Sequence, residues 1–226
     1  RPLNQLSEIR AEQSWAYNVG LDVEPVTGLQ VRINAFRNNV DNLIETAPVA
    51  LKTNGQSAFT YFNLDEIYTR GLETDIRYNL MKGLDVSAGY QLLDARRKVE
   101  QVTTLQDENG NPVEQTQTSF RPMFNRSKHT ANVKAFYTYQ PLNMEANIRG
   151  NWRGSYGFID ANGNGFVNQG EYEDSYMLWD MAIAKTFNNR YRFQAGIDNI
   201  FNFTRPRDLT YLSGRIVYGR VSISIN

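Results

Sequence analysis

The feature that most constrains the fold of this sequence is a two-residue alternation of apolar and polar side chains. In the stretch QSWAYNVGLDV, the odd-numbered residues from Trp15 to Val23 are apolar or aromatic, and those between them are polar or small. Successive side chains of a β-strand point to opposite faces, so this period predicts a strand with one apolar and one wet face. No segment shows a convincing helical period, and we therefore predict an all-β chain.

The alternation recurs along the whole chain and predicts nine strands. Named by the apolar residues of one face, they are Trp15 to Val23, Leu29 to Ala35, Tyr68 to Tyr78, Leu84 to Leu92, His129 to Tyr139, Met144 to Trp152, Trp179 to Phe187, Tyr191 to Ile197, and Val217 to Ile225.

The connections between the predicted strands are short and long in strict turn. Long loops are predicted at residues 38–67, 93–128, 153–175 and 201–214, and the four other connections are tight turns. In an antiparallel up-and-down arrangement, all short turns then lie at one end and all long loops at the other. This asymmetry is typical of outer-membrane barrels. A soluble β-sandwich remains the alternative, because alternation alone fits any antiparallel sheet with one wet face.

Composition excludes several classes of function. The 24 basic and 24 acidic residues balance, which argues against a nucleic-acid partner. The absence of cysteine excludes disulfides, thiol chemistry and zinc ribbons. No run of residues is apolar enough for a spanning helix, although a strand barrel stays compatible with the mean hydropathy of −0.54. No Ser–His–Asp set or phosphate loop is present, so we predict that the chain is not an enzyme.

The stretch DANGNGFVNQGE, residues 160–171, has the spacing of a calcium loop. Hard oxygen ligands at alternate positions, a glycine at the sixth position and a closing glutamate are what such loops need. The predicted ligands are Asp160, Asn162, Asn164, Phe166 through its carbonyl, Asn168 and Glu171. Only the first and last carry charge, so the expected dissociation constant is modest, about 10⁻⁴–10⁻³ M. An Asn/Gly-rich surface turn without an ion is the alternative.

Other candidate residues have two interpretations each. Glu73, Asp75, Glu145 and Asp198 could serve acid–base chemistry, but the alternation already explains them as wall residues of a wet interior. The lone histidine at a strand end, His129, is either a haem or metal ligand or incidental. The basic loop residues either meet an anionic ligand such as a ferric chelate or are solvated loop charge; they are Arg96, Arg97, Lys98, Arg205 and Arg207. The aromatic run Phe59, Tyr61 and Phe62 is either a ligand contact or a strand extension.

Several segments together resemble the C-terminal part of the barrel of TonB-dependent outer-membrane receptors. The stretch YTRGLETDIRYNLMKGLDVSAGYQLLDA is similar to a pattern of that family, carried here by Arg70, Gly71, Leu72, Glu73, Tyr78, Leu84 and Tyr90. RPMFNRSKHTANVKAFY, GIDNIFN and GRIVYGRVSISI resemble later strands, in the family's order. Each motif is weak alone, and their order makes the match specific.

The resemblance implies a fold, a location and a function. Residues 1–226 would be the last nine strands of a barrel of about 22, with the plug domain and roughly thirteen earlier strands absent. The implied protein is an importer in the bacterial outer membrane, with membrane lipid and the TonB energy complex as partners. The implied ligand is a ferric siderophore, with haem, cobalamin or a glycan as alternatives. A calcium-stiffened surface adhesin without transport activity is the alternative function.

Overall fold

The computed structural model of the chain describes residues 9–51, 56–106, 111–162 and 165–225, and it is built almost wholly from β-strands. The strands are β1 (Gln13–Val26), β2 (Leu29–Leu51), β3 (Ser57–Met81), β4 (Leu84–Gln106), β5 (Pro112–Pro122), β6 (His129–Tyr139), β7 (Met144–Arg153), β8 (Tyr156–Gly157), β9 (Tyr172–Glu173), β10 (Tyr176–Phe187), β11 (Tyr191–Asp198) and β12 (Ile216–Ile223). Among the described residues, the helical structure is a single 3₁₀ turn, Gln140–Leu142. None of these residues forms a helix long and apolar enough to span a membrane.

Nine strands form one antiparallel meander, in the order β1-β2-β3-β4-β6-β7-β10-β11-β12. Each strand pairs with its neighbour along this path, so the nine predicted strands and their up-and-down order are confirmed. The two-sheet sandwich is not formed, because the nine strands share one sheet. β5 lies off the path and pairs with the distal half of β4, and β8 and β9 make a separate two-stranded sheet.

The extents of two predicted loops are wrong. Pairing of β2 with β3 continues from Asn38↔Thr69 to Leu51↔Ser57, so most of residues 38–67 is strand rather than loop. Likewise β4 continues to Gln106 and returns as β5, within the predicted loop 93–128. These segments do not keep a strict alternation of apolar and polar residues, so the period of two does not mark them in the sequence although backbone pairing persists. Phe59, Tyr61 and Phe62 therefore belong to a strand extension.

Short turns gather at one end of the sheet and longer connections at the other. The turns after β1 and β3 are closed by Gly28 and Gly83, at φ values of 82° and 83° that disfavour residues with a Cβ. The opposite end carries the β2–β3 and β4–β5 extensions, residues 154–175 and residues 199–215. The predicted asymmetry between the two ends is confirmed, and we call them the short-turn end and the long-loop end.

The two faces of the sheet differ in chemistry. On one face, apolar residues meet in register, as in the row Val19, Ala35, Leu72 and Leu92. On the other face, Glu73 accepts hydrogen bonds from the amides of Asn34 (3.4 Å) and Gln91 (2.9 Å). We call these the apolar face and the wet face.

The apolar face is not covered by any described part of the chain. Val19 is 77% exposed and Trp15 64% exposed, and only six apolar residues are buried within the described ranges. An apolar surface of this size marks contact with another apolar phase or surface. Two of the six, Tyr156 and Leu209, lie in connections at the long-loop end, so packing of the ordinary globular kind occurs mainly there.

Gly71 of the RGLE motif occupies a position of close backbone approach. A Cβ at this residue would overlap the carbonyl oxygen of Leu92 on β4 and would reach 3.0 Å from the ring of Phe36. The glycine therefore allows β3 and β4 to approach closely on the wet face.

Candidate functional site

The connections at the long-loop end interlock into an ordered layer. Tyr156 is 1% exposed, and the guanidinium carbon of Arg153 lies 3.7 Å from its ring centroid. Leu209 from the β11–β12 connection is equally buried, and its N–H donates to the carbonyl of Arg205 (2.8 Å). This layer presents side chains from separate segments on one surface.

Arg205 joins two of these connections. It forms an ion pair with Glu173, whose side chain is 6% exposed, and donates to the carbonyl of Asp174 (3.3 Å). Its guanidinium also lies 5.2 Å from the ring centroid of Phe203. Arg205 was one of the candidates for meeting an anionic ligand, and the structure places it as an internal brace. Arg207, the other candidate on this connection, is exposed.

A cluster of phenols lies beside this brace. The hydroxyl of Tyr211 is 3.5 Å from that of Tyr156 and 3.4 Å from that of Tyr176, and Tyr176 stacks on Phe203 with centroids 5.4 Å apart. Tyr211 is 60% exposed, so the cluster has an open side. Sequence reasoning missed this group because its members come from different segments and no local spacing relates them.

The predicted calcium loop is folded around its two carboxylates. The N–H of Gly165 donates to Oδ2 of Asp160 (2.7 Å), and the N–H of Ala161 donates to Oε1 of Glu171 (3.0 Å). Oε2 of Glu171 accepts from both the backbone N–H (2.7 Å) and the side-chain amide (3.0 Å) of Asn168. That amide also donates to the carbonyl of Phe166 (3.2 Å). The loop brings Asp160, Phe166, Asn168 and Glu171 together. Asn162 is exposed and reaches Glu171 through its backbone N–H, and Asn164 lies outside the described residues.

Two features of this loop suit a hard cation. Oδ1 of Asp160 is buried and has no hydrogen-bond partner in the described part of the chain. The side-chain amide of Asn168 donates hydrogen bonds to both the Phe166 carbonyl and the Glu171 carboxylate. A cation at the same place would contact these two oxygen ligands. The described residues contain no group of three or more His, Cys, Asp or Glu side chains arranged for a metal. The candidate ligands are therefore two carboxylates supplemented by neutral oxygens.

The electrostatics of Glu171 follow from its hydrogen bonds. The backbone N–H of Asn168 lowers the pKa of this carboxyl below its ordinary value, and burial works in the opposite direction. The Asn168 amide and the N–H groups of Ala161 and Asn162 lower the pKa further. Glu171 is therefore held ionised in the folded loop, as a cation ligand must be.

The loop is attached to its surroundings through Phe166 and Val167. The guanidinium carbons of Arg97 and Arg121 lie 5.8 and 5.9 Å from the Phe166 ring centroid. Val167 packs on Gly157, where a Cβ would overlap its methyl groups. Of the predicted basic group, Arg97 thus contacts this loop, whereas Arg96 pairs with Asp94 at 2.7 Å.

Two of the four candidate carboxylates of the wet face, Glu73 and Glu145, are held by cationic or amide partners, as is Asp180. Glu145 pairs with Arg192 at 2.6 Å, and Glu73 is held by two amides. Asp180 binds Arg149 at 2.8 Å and also accepts the N–H of Asn199 (2.9 Å). Each of these carboxylates therefore has its own cationic or amide partner.

His129 lies on the apolar face at the long-loop end. Its Nδ1 is 2.6 Å from the hydroxyl of Tyr90, and the two rings stack with centroids 6.1 Å apart. The histidine is part of an aromatic contact between β4 and β6.

Residues 3–200 match the protein family described as TonB dependent receptor-like, beta-barrel. No curated protein matches the chain. Among solved structures, a mutant of the ferric enterobactin receptor PfeA from Pseudomonas aeruginosa is 18% identical over 96% of this chain and 32% of that one, with a TM-score of 0.65. The copper transporter OprC is 15% identical over 100% and 34%, with a TM-score of 0.68. The siderophore receptor PirA from Acinetobacter baumannii is 14% identical over 95% and 32%, with a TM-score of 0.61.

The fold is thus that of a partial antiparallel up-and-down barrel wall. The chain belongs to the TonB-dependent receptor β-barrel family, as its motifs predicted. It spans about a third of the length of the solved structures that it resembles.

The lowered pKa of Glu171 predicts that order in residues 160–171 depends on pH. Because the folded-state pKa is depressed, its stabilising effect is complete above the ordinary glutamate pKa of about 4.3 and is lost as pH falls through the folded value. A spin label introduced by Gln169→Cys is expected to stay immobilised at neutral pH and to become mobile as the pH falls through the lowered pKa of this carboxyl. Electron paramagnetic resonance measures this change.

The matched control is Glu171→Gln, which keeps the shape of the side chain and removes its charge. The label should then be mobile to the same degree from neutral to acidic pH. A transition that survives unchanged in this variant would contradict the role given to Glu171.

Proposed function

We propose that the chain is the C-terminal part of the barrel of an energy-coupled importer in the bacterial outer membrane, with a ferric siderophore as its ligand. The observation that carries the proposal is the family match across residues 3–200, joined to a single nine-stranded sheet with one apolar and one wet face. Solved structures with this fold include a ferric enterobactin receptor, a siderophore receptor and a copper transporter.

The two faces suit a barrel wall in a membrane. A strand tilted across a bilayer needs about 9–11 residues, and outward positions must be apolar over that length. On β4, the residues from Leu84 to Leu92 meet this requirement on the apolar face, whereas Ser87 and Gln91 point the other way. The apolar face would contact lipid and the wet face would line the lumen.

Aromatic residues occupy the edge of the apolar band at the short-turn end. Tyr137 and Tyr139 stack with centroids 6.4 Å apart, and Phe187 and Phe193 meet edge to face at 5.8 Å. Aromatic girdles of this kind sit at both interfaces of outer-membrane barrels. Short turns face the periplasm in such barrels, so the long-loop end would be extracellular.

The extracellular layer carries groups that suit an anionic iron chelate. The exposed phenol of Tyr211 and the guanidiniums of Arg121 and Arg207 are hydrogen-bond donors on the outer surface. Capture by such donors would precede passage, which in this proposal is driven by the TonB energy complex through a plug domain. Membership of the TonB-dependent receptor family supports an importer rather than a surface adhesin.

A second proposal concerns the loop at residues 160–171, which we assign to calcium as a structural brace. Its ligands would be Asp160, Asn162, Asn164, Phe166, Asn168 and Glu171. The buried, unpartnered Oδ1 of Asp160 and the ionised Glu171 support it. Because Phe166 lies beneath Arg97 and Arg121, an ion here would also order the contact between this loop and the β4–β5 hairpin.

Uptake by intact cells tests the importer proposal. Deleting the gene should abolish growth on a ferric siderophore as the only iron source, and the cloned gene should restore it. Parallel cultures identify the ligand class. In these cultures, growth depends on haem as the iron source, on added cobalamin, or on a limiting supply of copper. Growth that is unchanged on every one of these sources would contradict an importer.

Calcium titration tests the brace. With the spin label at Gln169→Cys, calcium should immobilise the loop further, with a dissociation constant of about 10⁻⁴–10⁻³ M, and Glu171→Gln should weaken this at least about tenfold. Glu114→Gln, which changes an exposed glutamate on β5, is the matched control and should leave the titration unchanged. A loop with the same mobility at all calcium concentrations would show that the motif is only an Asn/Gly-rich turn.

A further inference from the structure

At the long-loop end, the apolar face carries a cluster of charged side chains on β2, β3 and β4. Arg37 on β2 is directly opposite Arg70 on β3, which is directly opposite Asp94 on β4. All three lie on the same face as the apolar row Ala35, Leu72 and Leu92, one pleat nearer the long-loop end. Arg96 is the next residue of this face on β4. We call Arg37, Arg70 and Arg96, with Asp94 between them, the arginine patch.

Two guanidiniums of the patch share one aromatic ring. The guanidinium carbons of Arg37 and Arg70 lie 5.3 and 5.4 Å from the ring centroid of Tyr68. Both arginines are exposed, Arg70 to 53% of its side chain. Tyr68 is itself supported by Phe120, with ring centroids 5.2 Å apart. The two guanidiniums are therefore held beside one aromatic ring and remain exposed.

The charges of the patch do not cancel. Asp94 is shared by Arg70 (3.0 Å) and Arg96 (2.7 Å), and Arg37 donates to the neutral amide oxygen of Asn39 (3.0 Å). Within the described residues, Arg37 forms no ion pair. Three guanidiniums against one carboxylate leave two positive charges in excess. The acids further out on this face, Asp41 and Glu66, are opposite each other and make no ion pair with the patch.

This arrangement opposes the ordinary preference of a sheet. Like charges directly opposite each other on antiparallel strands are destabilising. Two arginines at the edge of a lipid-facing band are therefore unexpected from stability alone, and sites that break a local rule are often functional.

We infer that the arginine patch binds the phosphate of an anionic membrane lipid in the leaflet on the long-loop side. The inference rests on the proposed function, which puts the apolar face in the membrane. The outward residues of β4 from Leu84 to Leu92 then fill the hydrocarbon core, so Asp94 and its neighbours lie at headgroup depth. Guanidinium forks match phosphate oxygens and bind them bidentately.

The position of the patch decides between lipid and imported ligand as its occupant. Arg37 and Arg70 lie on the apolar face, whereas the proposed path of the ligand runs along the wet face. A lipid whose phosphate is held above the apolar band would have its acyl chains beside Leu72 and Leu92. Charge and hydrophobic contact would then act on the same molecule.

Native mass spectrometry of the full-length receptor in detergent tests the inference. The probes are bisphosphorylated lipid A, phosphatidylcholine and inorganic phosphate. The double variant Arg37→Gln/Arg70→Gln should bind lipid A about tenfold more weakly than the unmodified receptor. The double variant Arg37→Lys/Arg70→Lys keeps the positive charges and should lose less lipid A affinity than Arg37→Gln/Arg70→Gln. Phosphatidylcholine, which has no net charge, should bind weakly to all forms.

The matched control changes two arginines of the same strands on the opposite face, Arg32→Gln/Arg77→Gln. Lipid A binding by this variant should equal that of the unmodified receptor. The inference is overturned if both double variants bind lipid A equally, or if inorganic phosphate binds the patch as tightly as lipid A does. These outcomes do not depend on transport, so they are separate from a failure of growth on ferric siderophores.

Discussion

The backbone ladder between antiparallel neighbours is the interaction on which the rest of this structure depends. Nine strands pair in sequence order, and every strand inside the path has a hydrogen-bonded neighbour on each side. Pairing between neighbouring strands is how backbone polar groups are satisfied when strands cross a membrane. The side chains of the two faces are then free to differ, and one face becomes apolar while the other carries ion pairs such as Arg149 with Asp180.

Order at the long-loop end has a different physical origin. There, contacts between side chains of distant segments replace strand pairing. They include the ion pair of Arg205 with Glu173, and Tyr156 and Leu209 are buried in the same layer. These contacts make a compact layer from connections that are long by the standards of folded domains. The Asp160–Glu171 loop joins this layer through Phe166 and Val167. The strand ladder supports this layer.

The sequence predicted the ladder better than the layer. The nine strands, their order and their faces were predicted from a period of two. This was possible because a strand with one apolar face has an apolar residue at every second position. The extensions of β2 and β4 and the extra strand β5 were missed, and the extension of β3 at Phe59, Tyr61 and Phe62 was only one of two interpretations, because these segments lack a strict alternation. The Tyr156–Tyr176–Tyr211 cluster was also missed, because its members meet only through the folding of three separate segments. The calcium spacing could be read locally, but its partners Arg97 and Arg121 could not.

The central claim is that alternate residues of one strand face lipid and a wet lumen. These 226 residues contain no cysteine. In the membrane-embedded receptor, with any cysteine elsewhere replaced, spin labels can be introduced singly at Val86, Ser87, Ala88, Tyr90 and Gln91 of β4. Collision with oxygen reports lipid, and collision with a water-soluble nickel chelate reports the lumen. Labels at the even-numbered positions should collide mainly with oxygen, and those at Ser87 and Gln91 mainly with the chelate. Equal access of the chelate to both sets of positions would contradict the central claim.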